Sequence, residues 1–293
     1  MDEIFGIPFP ALAGQLTLGM INGAFYAMLS LGLTVIFGML RLINFTHGAQ
    51  FTIGAFGAWM VMQYLHIPYW GALILIPLVV AGLGIFLEVI LLRRVYQMDE
   101  LFQLLLTFGL ALIVEGLLSV VYGSSGLPYD NPMPGGMDLG FMFLPYYRAW
   151  IVTASVLACF GTWFAIERTH LGAHLRAATE KPHLVRTFGI NVPRMITLTY
   201  GFGVALAALA GVLAAPMDQV KPAMGSTLII TVFAVVVIGG MGSILGSVVT
   251  GFALGLLEAL TKVYYPPASS VVIFLIMTVV LLFKPVGLFG RQP

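Results

Sequence analysis

Residues 42–87 read LINFTHGAQFTIGAFGAWMVMQYLHIPYWGALILIPLVVAGLGIFL and contain no Asp, Glu, Lys or Arg. A helix that spans a membrane needs about 20 apolar residues, so this stretch is long enough for two spans and must turn back on itself. Helices and closed barrels are the structures that satisfy their own backbone in lipid. Barrel strands alternate apolar and polar residues, whereas the apolar runs here are unbroken. The stretch therefore predicts two transmembrane helices, near 45–64 and 70–92.

The rest of the chain has the same character. Of its 293 residues, 60% are hydrophobic and 9% are charged, whereas a soluble domain carries about 25% charged residues. Further spans are predicted near 11–37, 102–122, 148–167, 195–216, 226–240, 246–264 and 269–284. We therefore predict an all-α polytopic membrane protein of about 8–10 transmembrane or re-entrant helices, centred on about nine, in a single transmembrane domain over residues 1–293.

Basic residues are distributed unevenly between the predicted loops. If the N-terminus lies outside, only Arg148, Lys221 and Lys262 fall in outer loops. Cytoplasmic loops carry an excess of Lys and Arg, so the distribution predicts an N-out/C-in orientation. The residues on the inner side are then Arg41, Arg93, Arg94, Arg168, Arg176, Lys181, Arg186, Arg194, Lys284 and Arg291.

Two glycine-rich segments interrupt the apolar runs, one at 44–57 and the other at 239–255. Each follows a long apolar run and precedes another helix, which suggests two pseudo-repeated halves. Glycine-interrupted segments in corresponding positions point to the central pathway of a transporter, although close helix packing explains the same glycines. The candidate pathway residues in these segments are Asn44, Thr46, His47, Gln50, Gly240 and Gly242. For His47, a structural role inside the bundle is the alternative.

Glu115 lies in the middle of a predicted span, within Ile113-Val114-Glu115-Gly116. A charge at the bilayer centre costs about 2.5–3.5 kcal/mol on insertion scales, so it must be neutralised, paired or in contact with water. We therefore add Glu115 to the candidate pathway residues, with a hydrogen bond to a neighbouring helix as the alternative. Glu258 lies four residues before Lys262, a spacing that favours a structural ion pair.

The longest predicted inner loop covers residues 168–193. Its apolar spacing predicts two short helices, the second starting at Pro182 and ending at Gly189. Such a pair fits a groove on a soluble partner protein, while a basic helix held on anionic lipid is the alternative. The residues expected to contact a partner are Arg176, Ala177, Ala178, Glu180 and Gly189.

Four stretches together resemble a known family. They are GLTVIFG at 32–38 leading into INFTHG at 43–48, LRAATEK at 175–181 with FGI at 188–190, AALAGVL at 207–213, and VIGGMGSILG at 237–246 followed by PVGLFG at 285–290. The chain resembles a permease subunit of the branched-chain amino acid ABC importers, and within them the smaller permease of the high-affinity systems.

The resemblance implies a bacterial inner-membrane importer. Its pore is built from this chain and a second, distinct permease, with two ATP-binding subunits below, a periplasmic solute-binding protein above and lipid around it. Loop 176–189 resembles the segment that docks on the ATPase.

One departure from the family concerns the solute. Many relatives carry an acid after the His-Gly pair, where this chain has Ala49 and then Gln50, and Thr46 replaces a common alanine. Urea, amides, other amino acids and aromatic acids therefore remain alternatives to branched-chain amino acids.

The sequence lacks the motifs of several other functions. The sequence has no Gly-Lys dipeptide and hence no phosphate-binding loop, so ATP must be hydrolysed by other subunits. The catalytic motifs of zinc proteases and serine hydrolases are absent. His170 and His174 are four residues apart but have no obvious third metal ligand, so we expect no enzyme activity, metal or cofactor.

The net charge of +1 gives no indication of nucleic-acid binding. An ion-coupled secondary transporter remains an alternative, although proton relays use several membrane acids.

Overall fold

A computed structural model describes residues 3–4, 7–40, 42–96, 98–180 and 182–290. The helices are α1 (Phe9–Leu40), α2 (Thr46–Leu65), α3 (Tyr69–Leu87), α4 (Arg93–Val95), α5 (Glu100–Tyr122), α6 (Tyr146–Glu167), α7 (His170–Glu180), α8 (Pro182–Thr187), α9 (Val192–Ala214), α10 (Met224–Gly239), α11 (Ile244–Tyr264) and α12 (Val272–Phe283). A π-helical turn, Glu88–Leu92, joins α3 to α4, and a 3-10 turn, Pro266–Ala268, follows α11. Two antiparallel strand pairs are β1 (Glu3–Ile4) with β2 (Ile7–Pro8) and β3 (Gly136–Asp138) with β4 (Phe143–Pro145).

Each predicted span coincides with an apolar helix, which confirms the prediction of an all-α polytopic membrane protein. Within the described ranges, 6 helical segments are long and apolar enough to cross a membrane. Two others are short: α10 has 16 residues and α12 has 12, fewer than the roughly 20 that a full span needs. The six long segments are Phe9–Gly38, Tyr69–Val95, Glu100–Tyr122, Tyr146–Glu167, Val192–Ala214 and Ile244–Tyr264.

Local signals place several helix ends. The side chains of Asp99, Asn191 and Ser243 accept hydrogen bonds from backbone N–H groups two or three residues further on, and so cap α5, α9 and α11. At the other ends, α5 stops before Gly123 and α10 stops before Gly240, whose φ angles are 77° and 101°. Residues with side chains rarely adopt such angles, so these glycines end the helices.

Helices α1 and α9 lie at the centre of the bundle. They approach so closely that a Cβ on Gly32 would lie 2.8 Å from the carbonyl oxygen of Gly203. Helix α11 packs along α1, and both α2 and α3 pack on α9. At the α2–α9 contact, a Cβ on Gly54 would lie 2.4 Å from the carbonyl oxygen of Ala208. Small residues at such contacts are typical of membrane helices. The close helix packing that was the alternative explanation for the first glycine-rich segment is present at Gly54.

The loops gather at opposite ends of the bundle, with α9 running between them. At one end, the Trp59 indole N–H donates to the carbonyl oxygen of Pro128 at 3.1 Å, and Leu127 pairs with Val220. At the other end, α7 and α8 form a helical pair shortly before α9. This pair and the two residues after it are here called the elbow (residues 170–189). The N-out/C-in orientation stays a prediction. Three of its basic residues, Arg41, Lys181 and Arg291, lie outside the described residues.

Candidate functional site

A groove runs along the bundle between α2, α5 and α10. Apart from three polar side chains, those of Thr52, Glu115 and Ser226, its lining is apolar or glycine. Helix α5 forms one wall of the groove. It contacts the rest of the bundle along a narrow face, because Gln103 and Thr107 are the side chains that it buries. The complete lining is Phe45, Gly48, Ala49, Thr52, Phe108, Ala111, Leu112, Val114, Glu115, Pro222, Gly225, Ser226, Ile229 and Ile230.

The floor of the groove depends on a backbone contact between α2 and α10. A Cβ on Gly225 would lie 1.9 Å from the carbonyl oxygen of Gly48. The backbones of α2 and α10 are therefore already in contact here and cannot come closer together. Thr52 fastens the contact, because its Oγ1 accepts a hydrogen bond from the Gly225 N–H at 2.9 Å and donates to the Gly48 carbonyl at 3.2 Å. The first glycine-rich segment therefore shapes the groove through its small residues.

An aromatic group borders one end of the groove. The ring of Phe45 packs edge-on against Phe108, with centroids 6.0 Å apart, and stacks on Phe233 at 6.2 Å. Thr107 anchors α5 beside this group, because its Oγ1 donates to the Ile43 carbonyl at 3.1 Å and accepts from the Phe45 N–H at 3.3 Å. These contacts fix where α5 crosses the start of α2.

Glu115 projects from α5 into the groove and is partly buried. Among the described residues, no hydrogen-bond donor or basic side chain pairs with its carboxylate. Glu258 differs, because it accepts from Lys262 Nζ at 2.6 Å, as its spacing predicted, and from Tyr26 Oη at 2.7 Å. The hydrogen bond to a neighbouring helix that was the alternative for Glu115 is not present in this part of the chain.

Glu88 is fully buried and fully paired. Its carboxylate accepts hydrogen bonds from Arg93 at 3.2 and 3.3 Å, from Tyr96 Oη at 2.9 Å and from Thr197 Oγ1 at 2.8 Å. Burial, and then the neighbouring carboxylate, raises the pKa of Tyr96, which stays protonated and donates. Because buried charges need such partners, this cluster joins the end of α3 to the second turn of α9.

Three of the candidate pathway residues form a hydrogen-bonded network inside the bundle. Asn44 Oδ1 accepts from the Thr46 N–H at 3.1 Å, and the side-chain amides of Gln50 and Asn44 donate to Tyr200 Oη at 2.9 and 3.4 Å. All four side chains are buried between α2 and α9, away from the groove. Tyr200 was missed by sequence reasoning, because a single tyrosine in an apolar helix carries no local signal.

His47 also points into the bundle. It is fully buried, and its Nε2 donates to the Leu29 carbonyl of α1 at 3.0 Å. The ring lies beside Gly32, where a Cβ would approach it to 2.9 Å. This geometry favours the structural alternative that the sequence left open for His47.

Gly240 and Gly242 lie at the elbow end of the bundle. Gly240 is covered by the segment after α12, in which the Leu288 and Phe289 N–H groups donate to the carbonyls of Ile238 and Gly239 at 2.8 and 3.1 Å. Gly242 lines a separate surface cavity that α7 also borders. The seven candidate pathway residues therefore occupy three places: Glu115 is on the groove, four polar residues are inside the bundle, and two glycines are near the elbow.

The elbow has its own small core. Ala178 is 5% exposed and packs with Val185 and Val192, whereas Ala177 and Gly189 are exposed. Phe188, at 82% exposure, is uncovered at the tip. The candidate contact residue Arg176 is drawn inward, donating to the Ile166 carbonyl at 2.6 Å. Glu180 ends α7, but its side chain lies outside the described residues.

No metal centre appears in the part of the chain that the structure describes, where no group of three or more metal-ligating side chains comes together. His170 and His174 share α7 without a third ligand.

Comparisons with known proteins cover nearly the whole chain. Residues 15–282 match the family described as "Branched-chain amino acid transport system / permease component". The high-affinity branched-chain amino acid transport system permease protein BraD of Pseudomonas aeruginosa is 29% identical, over 94% of this chain and 95% of that relative. The LivH protein of Escherichia coli K12, with the same description, is 28% identical over 94% and 95%. LivM of that organism, also described as a permease protein of a high-affinity branched-chain system, is 26% identical over 96% of this chain and 71% of that relative.

Proposed function

We propose a transport function for this chain, which belongs to the family of branched-chain amino acid transport system permease components. It is a multi-pass protein of the bacterial inner membrane. The proposed function is that of the permease subunit of an ATP-binding-cassette importer, which moves branched-chain amino acids or a related small polar solute. Separate ATPase subunits supply the energy, and a periplasmic binding protein delivers the solute.

The family match over residues 15–282 carries this proposal, and the groove supplies a place for the solute. Helix α5 leaves most of its surface uncovered beside the groove, so a second subunit packed there would convert the groove into an enclosed path. We take that subunit to be a similar but distinct permease. The similarity of this chain to both LivH and LivM of one organism supports a pair of related subunits.

The elbow is the proposed contact with the ATPase. Apolar patches that are exposed to solvent mark interaction sites. Phe188 and Leu184 present such a patch at the elbow tip. Ala178 supports the patch from inside rather than touching a partner, because it belongs to the elbow core. A bulky substitution at Ala178 would thus disturb the elbow itself, and Phe188 is the sharper position for a coupling test.

The proposal is tested by reconstituting the chain with its second permease, ATPase and binding protein in liposomes and measuring radiolabelled leucine uptake. We expect uptake that requires ATP and is indifferent to a proton or sodium gradient. Uptake driven by an ion gradient in the absence of ATP would show a secondary transporter instead. Uptake of urea or aromatic acids but not leucine would assign another solute to the same machinery.

The elbow contact is tested in the same liposomes with Phe188→Ser. We expect the variant to assemble in the membrane but to lose at least tenfold in uptake, with ATP hydrolysis no longer stimulated by loaded binding protein. His183→Ser is the matched control and should transport normally, because His183 is an exposed polar position on α8, the short helix that ends one residue before Phe188. Normal coupling by Phe188→Ser would remove the elbow tip from the contact.

A further inference from the structure

Glu115 differs from the other span carboxylates because the described structure leaves it without a partner. Glu88 accepts hydrogen bonds from Arg93, Tyr96 and Thr197, and Glu258 is held by Lys262 and Tyr26. Those two carboxylates join helices of the bundle. The carboxylate of Glu115 instead faces the groove, where a passing solute can reach it.

The other polar groups of the groove are already engaged. Thr52 Oγ1 lies between the Gly225 N–H and the Gly48 carbonyl, and Ser226 Oγ donates to the Ala223 carbonyl at 3.0 Å. No basic side chain is among the described lining residues. The remaining surface is aliphatic and aromatic, so the groove offers one negative group in an apolar trough.

We propose that the Glu115 carboxylate binds the ammonium group of the transported solute, and that this contact selects solutes carrying an amine cation together with an apolar side chain. The inference rests on the proposed transport function and narrows its solute class. An ammonium donates up to three hydrogen bonds and carries the compensating charge that a carboxylate in an apolar membrane site requires. Hydrogen bonds between such ions are shorter and about twice as strong as neutral ones.

The geometry disfavours the alternative solutes. Urea and neutral amides lack the positive charge. An aromatic acid without an amine would place a carboxylate beside Glu115 with no ammonium to offset the repulsion between like charges. The aliphatic wall formed by Ile229, Ile230 and Leu112 complements a branched hydrocarbon side chain. Ala49 lines the same groove from α2, which makes it a position to which the negative charge can be moved experimentally.

The test uses the complete importer in liposomes with radiolabelled leucine. Glu115→Gln keeps the shape but removes the charge, and we expect it to lower leucine uptake at least tenfold while ATP hydrolysis stays within about twofold of the parent. Glu100→Gln, on the exposed first turn of the same helix, is the matched control and should leave uptake unchanged. Membrane abundance and a monodisperse elution peak confirm that Glu115→Gln folds.

A second variant separates charge from shape. In the double substitution Glu115→Ala with Ala49→Glu, the carboxylate returns to the groove from the opposite wall, and we expect recovery to at least one third of the parent uptake. Wild-type leucine uptake by Glu115→Gln, or no recovery in the double variant, would overturn the ammonium contact while leaving the importer function intact. Equal uptake of leucine and urea by the parent would also overturn it, whereas an ATP-independent parent would instead overturn the proposed function.

Discussion

The side-chain amide of Gln50 donates a hydrogen bond to the Oη of Tyr200 across the α2–α9 contact, at 2.9 Å. Tyr200 lies about one turn beyond Thr197, which donates a hydrogen bond to Glu88. Both residues are on α9, the helix that follows the elbow. The start of α2, which forms the floor of the groove, is therefore hydrogen-bonded to the helix that follows the proposed ATPase contact. Gln50 thus acts as a tie between helices rather than as part of the groove lining.

Tyr200→Phe is predicted to destabilise the protein. The substitution removes one oxygen and leaves the amides of Gln50 and Asn44 buried without that acceptor, a loss of about 1–3 kcal/mol. The measurement is the thermal unfolding temperature of the purified protein in detergent. Tyr265→Phe, at a position exposed at the end of α11, is the control and should unfold at the parent temperature. An unchanged unfolding temperature for Tyr200→Phe would show that the network contributes nothing to stability.

Arg93→Met is predicted to be more damaging. It leaves the fully buried Glu88 carboxylate without its cation. Breaking a fully buried pair costs about 3–5 kcal/mol, and the Arg93 side chain here is 41% exposed. We expect the low end of this range, because Tyr96 and Thr197 still donate to the carboxylate. The measurement is membrane abundance together with thermal unfolding.

Arg94→Met provides the comparison for that experiment. Its side chain is exposed on the adjacent residue and forms no salt bridge among the described residues. Equal behaviour of the two variants would mean that Arg93 acts only through the general positive charge of α4.

Gly225→Ala is predicted to separate α10 from α2. The added Cβ would lie 1.9 Å from the Gly48 carbonyl oxygen, so α10 must move and the groove must change shape. Gly82→Ala, in α3 with nothing within 4 Å of the new Cβ, is the control and should be stabilised by up to about 1 kcal/mol through helix propensity. Leucine uptake and thermal unfolding should both fall for Gly225→Ala, and normal values for both would contradict the contact.

Cysteine labelling tests the predicted orientation. Cys159, the one cysteine of the sequence, is buried in α6 and can be replaced by Ala. In that background, spheroplasts carrying Ser125→Cys should react with a membrane-impermeant maleimide, whereas those carrying His183→Cys should react only after lysis. The reverse pattern would place the elbow outside the cell and exclude its contact with an ATPase.

The sequence predicted the helices well because the length and charge content of an apolar run are local properties. Glu115 was visible for the same reason, since a charge in the middle of a span stands out. The groove was not predictable, because it depends on which faces of α2, α5 and α10 meet. Asn44, Thr46 and Gln50 illustrate the difference: their composition suggested a polar pathway, but their partner Tyr200 lies 150 residues from Gln50 along the chain.

The π-helical turn Glu88–Leu92 changes the direction in which the side chains after it point. In a regular α-helix each residue advances by about 100°, so a side chain five positions on points roughly 140° away. Here the Arg93 N–H reaches back to the Glu88 carbonyl, and this wider turn brings the guanidinium over the carboxylate. A regular α-helix formed by the same residues would rotate both Arg93 and Tyr96 away from Glu88. The buried acid depends on this one-residue widening of the helix to keep its partners aligned.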